Sequence, residues 1–241
     1  MDHKLKGVRV IILAGGLGTR LRSVVSDVPK VLVDIEGKTI LDRIITNLLK
    51  QGFYDIVLSV GYMKEKVREH IEKQLFLKEV KLNFLEEESA LGTGGAIKRA
   101  LNNFPCKTTL VLNGDTFFPI DYSIFVGKHI EKGAQASICL RWVDNVGDFG
   151  MVSIGEDNRI TGFNEKTKED KSGFINGGAY IFQKDIFEDF SLPEAFSIEK
   201  DFFEKYVREM RAYGFAFSDY FVDIGTPENY KKAKDYFQNG G

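Results

Sequence analysis

The chain has 241 residues, with 33 Lys+Arg against 35 Asp+Glu, a formal charge of −2, 43% apolar and 28% charged residues. That balance excludes a basic nucleic-acid footprint and an acidic tail, and the apolar content is that of a folded rather than a disordered chain. At about 150 residues per domain, the length fits one large domain or two small ones.

Cys106 and Cys139 allow one bridge at most, so a disulfide scaffold is excluded and a reducing compartment is expected. His3, His70 and His129 show no metal-ligand spacing with them. The apolar opening Val10-Ile11-Ile12-Leu13-Ala14 is far shorter than the roughly 20 residues of a membrane span. Lys4, Lys6 and Arg9 precede it, but it runs into glycines rather than a cleavage site of small residues. It reads as a first buried strand, in a protein expected in the cytoplasm.

Val8–Ala14 is β-rich and apolar apart from Arg9, as a strand buried on both faces should be. Ile40-Leu41, Ile44-Ile45 and Leu48-Leu49 recur at helical spacing before Gly52. A second strand is predicted over Asp55–Val60, an amphipathic helix over residues 63–75, a third strand over 80–86, a short helix over 93–103 and a fourth strand over Thr108–Asn113. Strands then follow over 134–143, 151–155, 159–164 and 173–182, and a helix over 198–210. Residues 213–217 and 220–224 read as two strands joined by a hairpin turn at Ser218-Asp219, and 227–237 as a closing helix with Pro227 in its first turn. The alternation predicts an α/β fold: a mostly parallel, Rossmann-like sheet with helices on both faces and a smaller β-rich part. No linker or repeat divides it, so one domain is expected over 1–241. Ligands of such folds bind at the carboxyl ends of the strands. His70 and His129 lie among charges and read as surface residues, and Cys139 as a core thiol.

The loop after the first strand, Gly15-Gly16-Leu17-Gly18-Thr19-Arg20-Leu21, has the glycines that let backbone N–H groups face an anion. It is not a Rossmann fingerprint, because Leu21 stands where a third glycine is needed and no acid ends the second strand. It is not a Walker loop either, since no Gly-Lys-Ser/Thr follows. Taken with Pro29-Lys30, the run from Leu13 to Leu21 resembles the signature of sugar-phosphate nucleotidyltransferases. Other segments resemble that family in order: Leu91-Gly92-Thr93-Gly94-Gly95-Ala96, Asn113-Gly114-Asp115, Glu165-Lys166, Asn176-Gly177-Gly178 and Asp223-Ile224-Gly225-Thr226-Pro227. Within the family, the stretch from Leu21 to Lys30 is most similar to the D-glycero-D-manno-heptose 1-phosphate guanylyltransferase branch. Two departures stand out: Val31-Leu32 follows Lys30 where Pro-Met or Pro-Leu is usual, and Phe221 replaces a frequent Trp.

The resemblance implies attack of a sugar 1-phosphate oxygen on the α-phosphorus of a nucleoside triphosphate, with GTP and a heptose 1-phosphate as partners and GDP-heptose for a capsule or lipopolysaccharide as product. It implies Mg²⁺, held by Asp115 and Asp223, and catalytic roles for Arg20, Lys30 and Asp115. Nucleotide contacts are implied for Leu13, Ala14, Gly15, Gly16, Gly18, Thr19, Gly92, Thr93 and Asn113, and sugar contacts for Gly150, Glu165, Lys166, Asn176 and Gly177. About residues 1–120 would then bind nucleotide, and about 121–241 would bind sugar and close the chain. Such a reaction needs charge cancellation rather than a general base, which suits a chain with three scattered histidines. Guanine offers two donors side by side, so one of Glu86, Glu87 and Glu88 is a candidate base reader. Uridylyl-, thymidylyl- or cytidylyltransferases on another sugar 1-phosphate share most of these motifs. A non-catalytic nucleotide-sugar-binding homologue is a further alternative, against which stand the four charged residues kept together and the absence of an added β-helix. Neither nucleic acid nor membrane is an expected partner, and oligomeric state is not readable.

Overall fold

The computed structural model describes residues 5, 7–16, 18, 20–21, 27–74, 80–147, 149–165 and 171–239. Strand β1 (Val8–Ala14) lies at its centre, with alternate side chains entering opposite cores. A 3₁₀ turn (Lys30–Leu32) leads to the small ribbon β2 (Asp34–Ile35) and β3 (Lys38–Thr39). Helix α1 (Ile40–Lys50) starts at a capping box, in which Thr39 Oγ1 accepts from the Asp42 N–H and the Asp42 carboxylate accepts from the Thr39 N–H. It ends before Gly52, whose φ of +86° suits glycine. Then come β4 (Asp55–Val60), α2 (Lys64–Glu72), β5 (Lys81–Glu86), α3 (Gly92–Asn103), β6 (Thr108–Asn113), β7 (Thr116–Phe117) and α4 (Tyr122–Glu131). The second half comprises β8 (Ala136–Val143), β9 (Met151–Ile154), β10 (Ile160–Asn164) and β11 (Gly173–Gln183). A π-helical segment (Ile198–Phe203) continues into α5 (Glu204–Tyr206), followed by β12 (Ala212–Phe217), β13 (Val222–Asp223) and α6 (Pro227–Gln238).

Four parallel strands in the order β5-β4-β1-β6 form one side of a nine-stranded sheet. Ile12 sits in register between Leu58 and Leu112. The α1, α2, α4 and α6 helices cover the face of Val10 and Ile12, while α3 and the π-helical segment cover the face of Ile11 and Val57. Strand β11 runs antiparallel to β6 through Ala179–Gln183, and nearer its start to β9 through Phe174 and Ile175. Because β8 pairs both stretches from the other edge, β6 and β9 share one edge of β11 in turn. The gap between them is the irregular stretch between Asn176 and Tyr180. That gap faces the carboxyl end of β6.

Three expectations are corrected. Residues 213–217 and 220–224 make no hairpin: β12 lies parallel to β8 at the sheet edge, whereas Val222 and Asp223 pair with Phe117 and Thr116. The helix expected over 198–210 opens as a π-helical turn and ends at Tyr206, so that Phe202 and Phe203, adjacent in sequence, are both buried. The two histidines are not plain surface residues. His129 is 2% exposed with Nδ1 2.8 Å from Ser137 Oγ, and half-buried His70 ties α2 to α1 through Asp42 at 2.9 Å. Burial depresses the His129 pKa to about 4. Cys139 is buried in the core as expected, and both cysteines are free thiols. Among the described residues no helix is long and apolar enough to cross a membrane.

Candidate active site

The glycine loop leaves the carboxyl end of β1, and Gly114-Asp115 leaves that of the neighbouring β6. The two turns are locked together: the Gly114 N–H donates to Leu13 O at 3.0 Å, and a Cβ at Gly114 would lie 2.5 Å from that oxygen. Gly18, at φ +59°, packs over the side chain of Lys30, and its Cβ would stand 3.2 Å from Lys30 Cβ. So the loop and Lys30 are seated on each other. The 3₁₀ turn holds Lys30 on its other side, with Val33 N–H donating to Lys30 O and Val31 buried against Gly114.

Lys30 reaches across to the strand ends. Its ammonium forms an ion pair with Asp115 Oδ2 and lies 3.7 Å from Asp223 Oδ1. Asp223 arrives from the far end of the chain because β13 pairs with β7, and the Ile224 N–H donates to Asp115 O at 3.0 Å. The Gly225 N–H fixes the second carboxylate by donating to Asp223 Oδ1 at 2.5 Å. Burial opposes both charges, but the outcomes differ. The charge and hydrogen bond of Lys30 overcome burial at Asp115 and hold its carboxyl below the usual range. At Asp223, burial and the neighbouring Asp115 charge outweigh Lys30, the Gly225 N–H and Arg20, and its carboxyl is pushed up. Arg20 is exposed at the end of the loop, close enough for its charge to act on Asp223.

Two carboxylates sharing one ammonium leave an excess negative charge on a half-buried spot. A hard divalent cation that takes one or two carboxylates and keeps its waters suits that donor set. Among the described residues no group of three or more His, Cys, Asp or Glu is arranged for a metal.

The three consecutive glutamates have distinct surroundings. Glu86 is held by Lys64 (2.7 Å) and Arg68 (2.6 Å) on α2, and Glu88 is exposed. Glu87 turns to the glycine loop: Ser59 Oγ and the Leu91 N–H donate to it, and its Oε1 would lie 2.7 Å from a Cβ on Gly15. Burial raises its carboxyl above the usual range.

The glycines of the Leu91 segment have a structural cause. A Cβ at Gly92, Gly94 or Gly95 would meet Phe196 O at 2.6 Å, the Phe196 ring at 2.1 Å or Glu194 O at 2.4 Å. The Gly94 and Gly95 N–H groups both donate to Phe196 O, and the Thr93 hydroxyl donates to Glu199 Oε2 at 2.8 Å. The first turn of α3 is therefore capped by the 194–199 stretch. On the sugar side of the implied site, Gly150 O accepts from the Asn176 N–H at 2.9 Å, and Glu165 packs on Gly150. Asn176 Oδ1 accepts from the Gly178 N–H, while its Nδ2 donates to the Tyr180 hydroxyl at 2.7 Å. Gly177 has room for no side chain between Phe118 and Cys139 O. Asn113 completes this edge, hydrogen-bonded to Tyr180 and with Oδ1 buried and unpartnered. Phe221, where tryptophan is frequent, packs edge-on against Phe118 and Phe149.

Of the residues expected at a site, the structure brings Leu13, Ala14, Gly15, Gly16, Gly18, Lys30, Asn113, Asp115 and Asp223 to neighbouring strand ends, with Arg20 at their rim. Gly150, Glu165, Asn176 and Gly177 line the adjoining gap in the sheet edge. Gly92 and Thr93 face the 194–199 stretch, so Tyr180 and Glu199 join the constellation without having been expected there. Thr19 and Lys166 lie outside the described residues.

Comparison with known proteins finds relatives along nearly the whole chain. The family model described as nucleotidyl transferase matches residues 9–240. The D-glycero-alpha-D-manno-heptose 1-phosphate guanylyltransferase of Aneurinibacillus thermoaerophilus is 40% identical over 232 residues, covering 96% of this chain and 99% of the relative. The enzyme of the same name from Campylobacter jejuni is 40% identical over 92% of this chain and 97% of its own. The crystal structure of HddC from Yersinia pseudotuberculosis complexed with GMP-PN superposes with a TM-score of 0.84 at 38% identity, covering 95% of this chain and 99% of that one. The family match over residues 9–240, the near-complete coverage of relatives at 40% identity and the α/β fold make this chain a member of the nucleotidyl transferase family.

Proposed function

We propose that this enzyme joins D-glycero-α-D-manno-heptose 1-phosphate to GTP, giving GDP-heptose and pyrophosphate for a surface polysaccharide. The observation that carries the reading is the convergence of Lys30, Asp115 and Asp223 beside a glycine loop, at the carboxyl ends of two adjacent parallel strands. The names and near-full coverage of the heptose 1-phosphate guanylyltransferase relatives support the choice of substrates.

In this reading the loop amides at Gly15, Gly16 and Gly18 hold the triphosphate, and exposed Arg20 takes charge that builds on the departing pyrophosphate. Lys30 lies next to the carboxylates and neutralises the α-phosphate as the sugar phosphate oxygen approaches it. Asp115 and Asp223 would hold a divalent ion, Mg²⁺ being the choice for so few carboxylates, which supplies charge cancellation between the two polyanions. Glu87, half-buried against Gly15, accepts from the guanine N1–H and N2–H₂ donors. Gly150, Glu165 and Asn176 border the sugar, with Lys166 following Glu165 in sequence. The first half of the chain thus handles nucleotide and the second half sugar, and the two free thiols suit a cytoplasmic enzyme.

The test is pyrophosphate release with GTP, ATP, CTP, UTP and dTTP, each against heptose, glucose and mannose 1-phosphates. The expected result is the highest kcat/KM for GTP with the heptose 1-phosphate, and none in excess chelator. A pyrimidine triphosphate outperforming GTP overturns the base assignment, and a hexose 1-phosphate outperforming the heptose overturns the acceptor.

A further inference from the structure

Glu199 matched no motif expectation, yet its carboxylate lies between the two halves of the site. Oε2 accepts from the Thr93 hydroxyl and from Ser197 Oγ, both at 2.8 Å. Thr93 Oγ1 also accepts from the Ile198 N–H at 2.9 Å, which pins the first turn of α3 onto the π-helical segment. Oε1 accepts the longer bond, 3.4 Å, from the Tyr180 hydroxyl.

Tyr180 is fully buried, stacked against Phe182 and Phe203 at centroid distances of 6.0 and 5.8 Å. A phenol has one proton to donate and two lone pairs. Asn176 Nδ2 and the Asn113 side chain occupy the acceptor side, so the single proton is left for Glu199. That ordering determines which way the Asn176 amide points: Nδ2 to Tyr180, Oδ1 to the Gly178 N–H. The π-helical turn brings Glu199 to this point while both Phe202 and Phe203 stay in the core; π turns recur where a helix must present a side chain to a functional site.

The geometry points to Glu199 as a positioning residue that sets the α3 first turn through Thr93 and the Asn113–Asn176 edge through Tyr180, so that the nucleotide and sugar-phosphate sides are built as one unit. The inference rests on the nucleotidyl-transfer reading for what the two sides bind, but the hydrogen-bonded link itself does not. Loss of the carboxylate is expected to loosen both sides together.

The experiment compares Glu199→Ala, Glu199→Gln and Tyr180→Phe with the wild type, in steady-state kinetics and in amide hydrogen exchange. Glu199→Ala should lower kcat/KM about ten- to hundredfold for both substrates, the loss expected when hydrogen bonds to a charged acceptor are broken. Exchange should quicken over residues 92–97 and also over 174–180. Glu199→Gln, which keeps shape and one carbonyl acceptor, should recover part of the activity. Tyr180→Phe keeps the ring stack and should raise KM for the sugar phosphate more than for GTP. Combined with Glu199→Ala, it should add little to the sugar-phosphate effect.

Equal kinetics in Glu199→Ala and wild type, exchange that changes at 92–97 alone, or additive effects in the double variant would each overturn the link. If Glu199→Ala does not fold, Glu199→Gln and Tyr180→Phe decide, and unchanged KM values in both overturn it. A wild type inactive with every substrate pair would instead overturn the substrate reading, while the exchange data would still judge the link.

Discussion

Asp115 and Asp223 are proposed to hold the same ion, yet their surroundings predict opposite effects on stability when each is replaced by asparagine. The Asp115 carboxylate is favoured as an anion by its ion pair with Lys30, whose side chain is 10% exposed. Asp115→Asn breaks that pair, and breaking a buried pair costs about 3–5 kcal/mol; with Asp115 itself about a third exposed, a loss of about 2 kcal/mol is expected. Asp223 also faces Lys30, at 3.7 Å, a gross attraction of about 4 kcal/mol at an effective dielectric constant of about 20. Even so, burial and the Asp115 charge outweigh it and raise the carboxyl pKa, so the environment as a whole disfavours the anion. Asp223→Asn retains an oxygen for the Gly225 N–H and removes the repelling charge, so it should stabilise the metal-free fold by about 1 kcal/mol, as other relieved active-site strains do. The pH dependence has matching signs. Asp115, held below its ordinary pKa, contributes stability that is lost as pH falls through the acid range. Asp223, raised above its ordinary pKa, contributes stability at acid pH that is lost as pH climbs through its folded pKa. Activity should fall in both variants by about 10²-fold or more, through lost charge stabilisation. Urea unfolding with and without millimolar Mg²⁺ makes the comparison: the wild type should gain stability from the ion and both variants should lose that gain. A metal-free Asp223→Asn as unstable as Asp115→Asn, or either variant with wild-type turnover, refutes the reasoning.

Three further outcomes are expected. Glu87→Ala should raise the GTP KM about ten- to hundredfold and reduce discrimination against ATP, since a charged acceptor for two base donors is removed; an unchanged GTP:ATP ratio removes Glu87 from base reading. Gly94→Ala should cost about 1–3 kcal/mol in urea unfolding, because its Cβ would lie 2.1 Å from the Phe196 ring, whereas Gly16→Ala should leave stability unchanged and weaken triphosphate binding; equal stabilities for the two variants would contradict this division. His129 is neutral in the fold, with its pKa near 4, so the unfolded chain binds the extra proton between pH 6.5 and 4 and up to about 3 kcal/mol of stability is lost on acidification across that window. His129→Asn should flatten that limb of the stability–pH curve.

What was legible in the sequence is what a continuous apolar run specifies. Val8–Ala14, Asp55–Val60 and Thr108–Asn113 are found with the expected bounds, because the apolar run at the centre of each is long enough to specify a strand buried on both faces. The turns at their carboxyl ends were legible for the same reason, since parallel order places them side by side. Asp223 was legible as a residue type in a motif but not in its route to the site. Its strand has two residues, too few for any periodicity, and its pairing with Thr116 is decided by where β7 lies. His129 was misread because charged neighbours on a helix describe the opposite face, while Ser137 on β8 supplies the buried partner from a distance the local pattern cannot reveal.

The glycines carry the same argument further. Gly15-Gly16 and Gly94-Gly95 are indistinguishable as letters, and each follows a strand, the first pair in the loop after β1 and the second in the first turn of α3. No described atom lies within 4 Å of the place a Gly16 Cβ would occupy, so nothing in the described fold demands glycine there, and the bare backbone suits the close approach of the proposed triphosphate. At Gly94 and Gly95 the demand is internal, since Phe196 and Glu194 fill the space and Phe196 O takes both N–H groups. A glycine that is needed by the fold is a poor witness for a ligand; a glycine that the fold could do without is a better one. Applied to this chain, that distinction favours the loop after β1 as the proposed phosphate cradle and makes the first turn of α3 a fitted joint, the one that Glu199 is proposed to set.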